Sequence, residues 1–339
     1  MYSPFVLLII ATIGLWLSPP PQEAARRPFH LNGYAQGTTY AITYYAADST
    51  VSGESVSRQL AEIDASLSLY APGSLINQFN LSPKGIVADK HLKRVVRKAL
   101  QVCEDTQGLF DATVEPLVRA WGFGTQHIEA PPSPATIQGL LAQVGSDKLH
   151  LRGDSLVKDR PGVHIDLNGI AQGYTVDMLA ALLERHHIRN YMVELGGEIR
   201  VRGHKWPGGE LMRIGIERPD TSAVQPSGFQ QVIRLRAGGV TTSGNYRKFK
   251  QWGPLKSAHL IDPQTGYPFQ NEMISVTVLA RDALTADAYD NALMGMGIAK
   301  ALSFLRRHRH LQAYLIYQRP DGSIADTATP GFQRLFSPQ

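Results

Sequence analysis

Four short stretches carry side chains whose types and spacing suit chemistry at a bound anion and a hard cation. In Ile165-Asp166-Leu167-Asn168-Gly169-Ile170-Ala171-Gln172-Gly173-Tyr174, an apolar run delivers Asp166 to its end and small residues then open a helix. Helix starts expose unpaired N–H groups and positive potential, which suit a phosphate, and glycine lets a ligand approach the backbone closely; the plainer alternative is that Asp166 and Asn168 cap the helix. Glu194-Leu195-Gly196-Gly197-Glu198 sets a glycine pair between two strands with an acid on each side, open to a ligand contact or to a tight turn with solvated acids. Thr241 to Arg247 precedes His259-Leu260-Ile261-Asp262-Pro263-Gln264-Thr265-Gly266-Tyr267-Pro268, whose Asp-Pro-x-Thr-Gly core has turn composition. His259 is a candidate general base because imidazole titrates near neutrality, although a lone histidine is more often structural. In Thr285 to Asn291, Asp287 and Asn291 stand four apart and share a helix face. They offer a carboxylate and an amide oxygen to magnesium, which completes its shell with phosphates and water; the alternative is an ordinary helix start with acids favoured by the dipole.

The elements that must position these groups read as alternating strands and helices. Thr38 to Tyr45 is β-branched and aromatic, a strand. Val56, Leu60, Ile63 and Leu67 give Ser55 to Leu69 a helical period, and Lys90 to Thr106 reads as a second helix. Ala130 to Ser146 is a Pro-rich loop leading into a short helix at Thr136 to Val144. Val163 to Leu167 and Tyr191 to Leu195 read as buried strands around a helix from Ile170 to His186, a strand, helix, strand unit. Further strands are expected at Ile199 to Gly203, Leu211 to Glu217, Gln231 to Leu235 and Ile274 to Leu279. A helix from Thr285 to Leu305, bent at Gly295 or Gly297, then precedes a last strand at Gln312 to Tyr317. The expected class is α/β (α+β), with mixed sheets and packed helices.

At 339 residues and 43% hydrophobic content the chain can bury a sizeable core. Its net charge of +5 is dispersed, and the groups at Arg26-Arg27, Lys93 to Lys98 and Arg306 to Arg309 are short, which argues against a nucleic-acid surface. The single cysteine, Cys103, excludes an intramolecular disulfide and a cysteine metal cluster and reads as a core residue. Phe5 to Leu17 is a continuous apolar run followed by Ser18 and three prolines. It is short for a membrane span and right for a secretory signal. Export is expected, with 1–27 as a signal peptide or N-terminal anchor plus linker and 28–339 as one catalytic domain. Contact with a membrane is expected only through the N-terminal segment.

In their order these stretches resemble the ApbE family of FAD:protein FMN transferases. Gln36-Gly37-Thr38-Thr39-Tyr40 is similar to the family's opening strand, and Ser68-Leu69-Tyr70 with Ser74, Phe79 and Asn80 to its tyrosine segment. Gly108-Leu109-Phe110-Asp111-Ala112-Thr113-Val114-Glu115-Pro116-Leu117 with Trp121-Gly122-Phe123-Gly124 is similar to its central signature. The resemblance spans about residues 33 to 317 and implies an ApbE-like architecture in which FAD lies in a cleft. It implies FAD contacts from Gln36, Tyr70, Leu109, Phe110, Asp111, Asp166, Gln172, His259, Leu260 and Ile261. It further implies magnesium on the Gly169 carbonyl and the Asp287 and Asn291 side chains. FMN would pass to a Thr or Ser hydroxyl of a partner flavoprotein or redox-complex subunit, with His259 assisting proton removal and AMP leaving. Asn291 stands where the family usually has Thr or Ser, Gln172 where a charged residue is common, and Asn245 where many relatives carry Asp. Two rival readings are a metal-dependent FAD pyrophosphatase releasing FMN and AMP, and a non-catalytic FAD carrier.

Overall fold

The chain enters its sheet through a hairpin set by a two-residue turn. β1 (Arg27–Ala35) pairs antiparallel with β2 (Thr38–Ala46), Ala35 opposite Thr38, and Gln36 and Gly37 both take positive φ, 51° and 77°, the requirement of a type I′ turn. The computed structural model describes residues 26–124, 128–219, 228–245, 249–252 and 255–337, with backbone alone at 249–252 and 255–258. The apolar run at Phe5 to Leu17, and Tyr246 and Arg247, lie outside the described residues.

Three helices follow: α1 (Gly53–Leu67), α2 (Leu75–Leu81) and, after β3 (Gly85–Val87), α3 (Lys90–Asp105). Each helix has a side-chain cap: Ser52 accepts from the Ser55 N–H, Ser74 from Asn77 and Asp89 from Leu92. α4 (Glu115–Ala120) and α5 (Pro134–Leu141) come next. The short helix expected from Thr136 to Val144 begins two residues early, because Ser133 caps it and Pro134 fills its first position. β4 (Leu149–Arg152) and β5 (Ser155–Lys158) form a small sheet with β3 in the order β3-β5-β4.

α6 (Ala171–Arg185) leads into β6 (Tyr191–Leu195) and β7 (Glu198–Arg202). β8 (Met212–Glu217) and β9 (Phe229–Leu235) form a separate ribbon, before β10 (Ala237–Gly244). β11 (Phe249–Trp252) and β12 (Leu255–Ala258) pair only with each other. β13 (Met273–Ala280), α7 (Ala283–Arg307), β14 (Gln312–Gln318), β15 (Ile324–Ala328) and α8 (Pro330–Gln333) complete the chain. The main sheet has eight strands in the order β1-β2-β6-β7-β10-β13-β14-β15.

One expectation is corrected. Val163 to Leu167 joins no sheet among the described residues, so α6 does not link two strands of one sheet as expected. The expected class, α/β (α+β) with packed helices, is found, and every strand pair among the described residues is antiparallel, which places it on the α+β side. Side chains replace the missing neighbour strand. Asn80 accepts from the Ile165 N–H at 2.8 Å and donates to its carbonyl at 3.0 Å, and Lys158 Nζ donates to the Val163 carbonyl at 2.8 Å. Buried backbone groups need partners of some kind, and here one asparagine supplies both.

One face of the main sheet buries α6 and α7 together with α1 and α3. The other face packs Val201, Val240, Tyr314 and Ile316 against β8, β9 and Phe332. The bend expected in α7 falls at Gly297, with φ 70° and ψ 165°. Glu272 accepts from the Ile298 N–H at 2.8 Å and so starts the helix again. No helix among the described residues is long and apolar enough to cross a membrane.

Candidate active site

α6 and α7 cross almost backbone to backbone, because Gly173 has no side chain. A Cβ there would lie 2.4 Å from the Ala283 carbonyl oxygen and 2.6 Å from the Asp287 Cβ. The approach lets the Gly173 N–H donate to Asp287 Oδ2 at 2.7 Å, and Asp177 of α6 accepts from Ala283 and Leu284 N–H at 3.0 and 2.9 Å. Burial pushes the Asp177 carboxyl up to about 6 against the opposing pull of Arg200 and these N–H groups. We expect Gly173→Ala to force the helices apart, costing about 1 to 3 kcal/mol. It should lower the melting temperature by several degrees; a wild-type Tm would contradict this account of the crossing.

The crossing forms the floor of a cavity of about 750 Å³, within the range of cofactor sites. Every residue singled out above as a candidate lines it. Gln36, Tyr70 and Gln172 stand with Leu109, Phe110 and Asp111, and Asp166 and Gly169 with Asp287 and Asn291; His259, Leu260 and Ile261 close the set. Gln36 is a non-glycine residue in a left-handed conformation. Its side chain compensates by donating to Asp64 at 2.9 Å and Thr175 at 3.1 Å. Tyr70 is 66% exposed, an aromatic face open to a planar ring. Burial, and then Asp166, raise its phenol above the usual range. Gly196 and Gly197 form the β6–β7 turn with φ of 65° and 110°, and Glu194 accepts from the Gly197 N–H at 2.8 Å.

Asp111 is a pin for its loop. Its carboxylate accepts from the Thr113 N–H and hydroxyl at 2.8 and 2.7 Å and from the Ser146 N–H and hydroxyl at 2.9 and 2.7 Å. Cys103 Sγ adds a contact at 3.6 Å. Cys103 is thus half-buried against a cavity residue rather than a plain core residue, and burial followed by Asp111 pushes its thiol up to about 11. The expected turn is formed: Asp262 accepts from the Gln264 N–H at 2.8 Å and the Thr265 hydroxyl at 3.0 Å, and Gly266 has φ 77°. It holds His259 beside Phe123, the two rings edge to face with centroids 6.4 Å apart.

The capping alternative for Asp166 and Asn168 does not hold. α6 has no side-chain cap, and Asp166 instead accepts from the Asn168 N–H at 2.7 Å. Burial pushes the Asp166 carboxyl up to about 6, with those Asn168 hydrogen bonds opposing it. α7 is capped by Asp282, leaving Asp287 free of that task. The start of α6 is also less open to a phosphate than expected, since its Ala171 N–H donates to the Leu167 carbonyl at 2.8 Å and its Gly173 N–H to Asp287.

The electrostatics decide what the cavity can hold. Its described lining contains Asp64, Asp111, Asp166, Glu194, Glu198, Glu217, Asp287 and Asp290, and no Lys or Arg. Glu198 and Asp290, neither of them among the FAD and metal contacts that the resemblance implies, are buried with Asp287. Burial, then Asp287 and Glu198, hold the Asp290 carboxyl well above the carboxylate range. Asp290 Oδ1 has no hydrogen-bond partner among the described residues. Asp290 follows Asp287 by three on the same helix face, a spacing the sequence displays; Glu198 is the second acid of the glycine-pair stretch, and the β6–β7 turn brings it to the floor.

These donors fit a hard cation. Asn291 Nδ2 donates to the Gly169 carbonyl at 3.1 Å and Ser243 donates to Asn291 Oδ1 at 3.2 Å, so the amide and the carbonyl meet directly below the Asp287 turn. Turning the amide over presents Oδ1 beside the Gly169 oxygen. No three His, Cys, Asp or Glu side chains among the described residues form a metal-holding group. Magnesium needs only one or two carboxylates with substrate phosphates and water.

An antiparallel α+β body with an acidic, oxygen-lined cavity at a helix crossing defines a class of ligand-binding enzyme fold, and comparison places it. Residues 36–315 match the ApbE family, and the chain belongs to that family. It is 34% identical to the FAD:protein FMN transferase of Haemophilus influenzae, covering 96% of each chain. It is also 34% identical to that of Vibrio cholerae, covering 97% of this chain and 98% of the relative. Among solved structures it superposes on the flavin transferase ApbE from Vibrio cholerae with a TM-score of 0.82 at 32% identity, covering 91% of this chain and 99% of the other. The apo flavinyl transferase ApbE of Pseudomonas stutzeri gives 0.81 at 31%, covering 92% and 97%.

Proposed function

We propose that this chain is an exported FAD:protein FMN transferase that moves FMN from FAD to a serine or threonine hydroxyl of a partner protein. One observation carries the reading: the described lining of the cavity bears eight carboxyl groups and no Lys or Arg. Carboxylates crowded around a dianionic pyrophosphate repel it, and a cation between them relieves that repulsion. The Gly169 carbonyl, Asp287 and Asn291 are the groups that would hold it. When bound, magnesium neutralises the pyrophosphate and polarises it for attack.

The chain's own residues supply the rest. The open Tyr70 ring, with Leu109 and Phe110, offers apolar surface to the flavin. Gln36 and Gln172 offer uncharged hydrogen-bonding groups to it. The acceptor hydroxyl oxygen bonds to the phosphorus on the FMN side while the bond to the AMP phosphate breaks. The hydroxyl proton passes to His259, and AMP leaves. Asn245, where many relatives carry aspartate, donates to the Met273 carbonyl at 2.7 Å and ties β10 to β13. The apolar N-terminal run supports export, and acceptors facing the same compartment follow from it.

The test is AMP release with FAD and magnesium, with and without purified candidate acceptors encoded beside this chain. Acceptor-dependent release supports the transferase. Acceptor-independent release would make the protein a pyrophosphatase, and tight FAD with no release would make it a carrier. His259→Ala is expected to retain FAD binding, read by flavin fluorescence, while slowing transfer by about 100-fold, the scale of general-base assistance. An unchanged rate would remove His259 from the mechanism.

A further inference from the structure

β1 is an edge strand of nine residues, and beyond Arg27 and Pro28 nothing among the described residues pairs with or guards its outer side. Protein sheets usually protect such edges with charges, shortness or proline. From Phe29 to Ala35 this strand has no Lys, Arg, Asp or Glu. The opposite edge, β15, has five residues and carries Asp326. Only Pro28, near the start of β1, breaks the row of donors.

The hairpin register fixes which groups point outward. Ala35 and Thr38 flank a two-residue turn and form a hydrogen-bonded pair, so Gly33 and Leu31 also bond to β2. The N–H and C=O groups of His30, Asn32 and Tyr34 then face away from the sheet. All three residues are exposed, Tyr34 by 73%. The strand runs directly into Gln36, which lines the cavity and is held there by Asp64 and Thr175.

We propose that the outer edge of β1 binds an extended segment of the acceptor protein as an added strand and feeds its hydroxyl-bearing residue past Gln36 into the cavity. This rests on the transferase reading. A hydroxyl must reach a phosphorus inside a cavity, which an extended segment can do and a flat folded surface cannot. Main-chain pairing along His30, Asn32 and Tyr34 supplies affinity, and the exposed Tyr34 ring supplies a side-chain contact. Continuity between this edge and the cavity selects the acceptor over a second copy of the chain.

The experiment measures KM for FAD and for the acceptor that supports AMP release, in the full chain and two variants. Asn32→Pro removes one outward N–H and blocks strand addition without touching the bonds to β2. It should raise the acceptor KM by about tenfold, the worth of one or two main-chain hydrogen bonds, with FAD KM and kcat retained. Tyr34→Asp, an exposed change that leaves the strand intact, should raise the acceptor KM several-fold and keeps the test valid should Asn32→Pro misfold. An unchanged acceptor KM in Tyr34→Asp and in folded Asn32→Pro overturns the proposal. So does a dimer by light scattering that either variant dissolves with acceptor KM unaltered, which would assign the edge to a second copy. AMP release that needs no acceptor sinks the transferase reading itself.

Discussion

Asp287→Ala should abolish metal-dependent FMN transfer, lowering turnover by about three orders of magnitude, the several kcal/mol that a bound divalent cation supplies to phosphoryl chemistry. Asp287 is buried on the cavity floor beside the Gly169 carbonyl and Asn291, and it is the acceptor for the Gly173 N–H. The alanine variant therefore loses a structural bond as well as a charge. Asp287→Asn separates the two, because its amide oxygen still accepts from Gly173 while the charge is gone. It should fold with a Tm near wild type and fail to respond to magnesium over a titration. A full rate in either variant would refute the cation assignment.

Asn80→Ala should be the most destabilising single change away from the cavity floor. Its side chain makes both bonds that a neighbouring strand would have made to Ile165, and it is nearly buried. Truncation strands one N–H and one C=O in the interior, at about 1 to 3 kcal/mol each. The segment it holds carries Asp166 and leads to Gly169, with the Asp166 N–H also tied to the Ala112 carbonyl at 2.8 Å. Activity should therefore fall together with stability. Chemical denaturation and steady-state transfer on the same preparation would check this; a wild-type midpoint would mean that Ile165 finds other partners.

The same segment shows where the sequence stops being readable. Val163 to Leu167 alternates buried and half-buried residues as a strand does, and its composition reads as one. Whether it pairs with a strand or with Asn80 and Lys158 is decided by groups 85 and 5 residues away, which no local pattern contains. β1 was equally opaque, since Pro28, Gly33 and its exposed polar residues dilute the strand pattern. By contrast, α3 and α7 were legible from their apolar period, and the α7 bend from a glycine inside it. The ten-residue stretch around Gly169 pointed to a phosphate at the start of α6, but the Ala171 and Gly173 N–H groups there are already bonded to Leu167 and Asp287, partners the stretch itself only partly contains. Asp290 and Glu198 lie in two separate stretches of the sequence, and that they meet beside Asp287 emerges only once α7 packs against β7 and β10.

The central claim is tested most directly by intact-mass analysis of an acceptor protein after incubation with this chain, FAD and magnesium, beside a chelated control. A gain of one FMN residue on the acceptor, matched by AMP and absent with chelator, is the predicted result. An unmodified acceptor with AMP still released would contradict the transferase account.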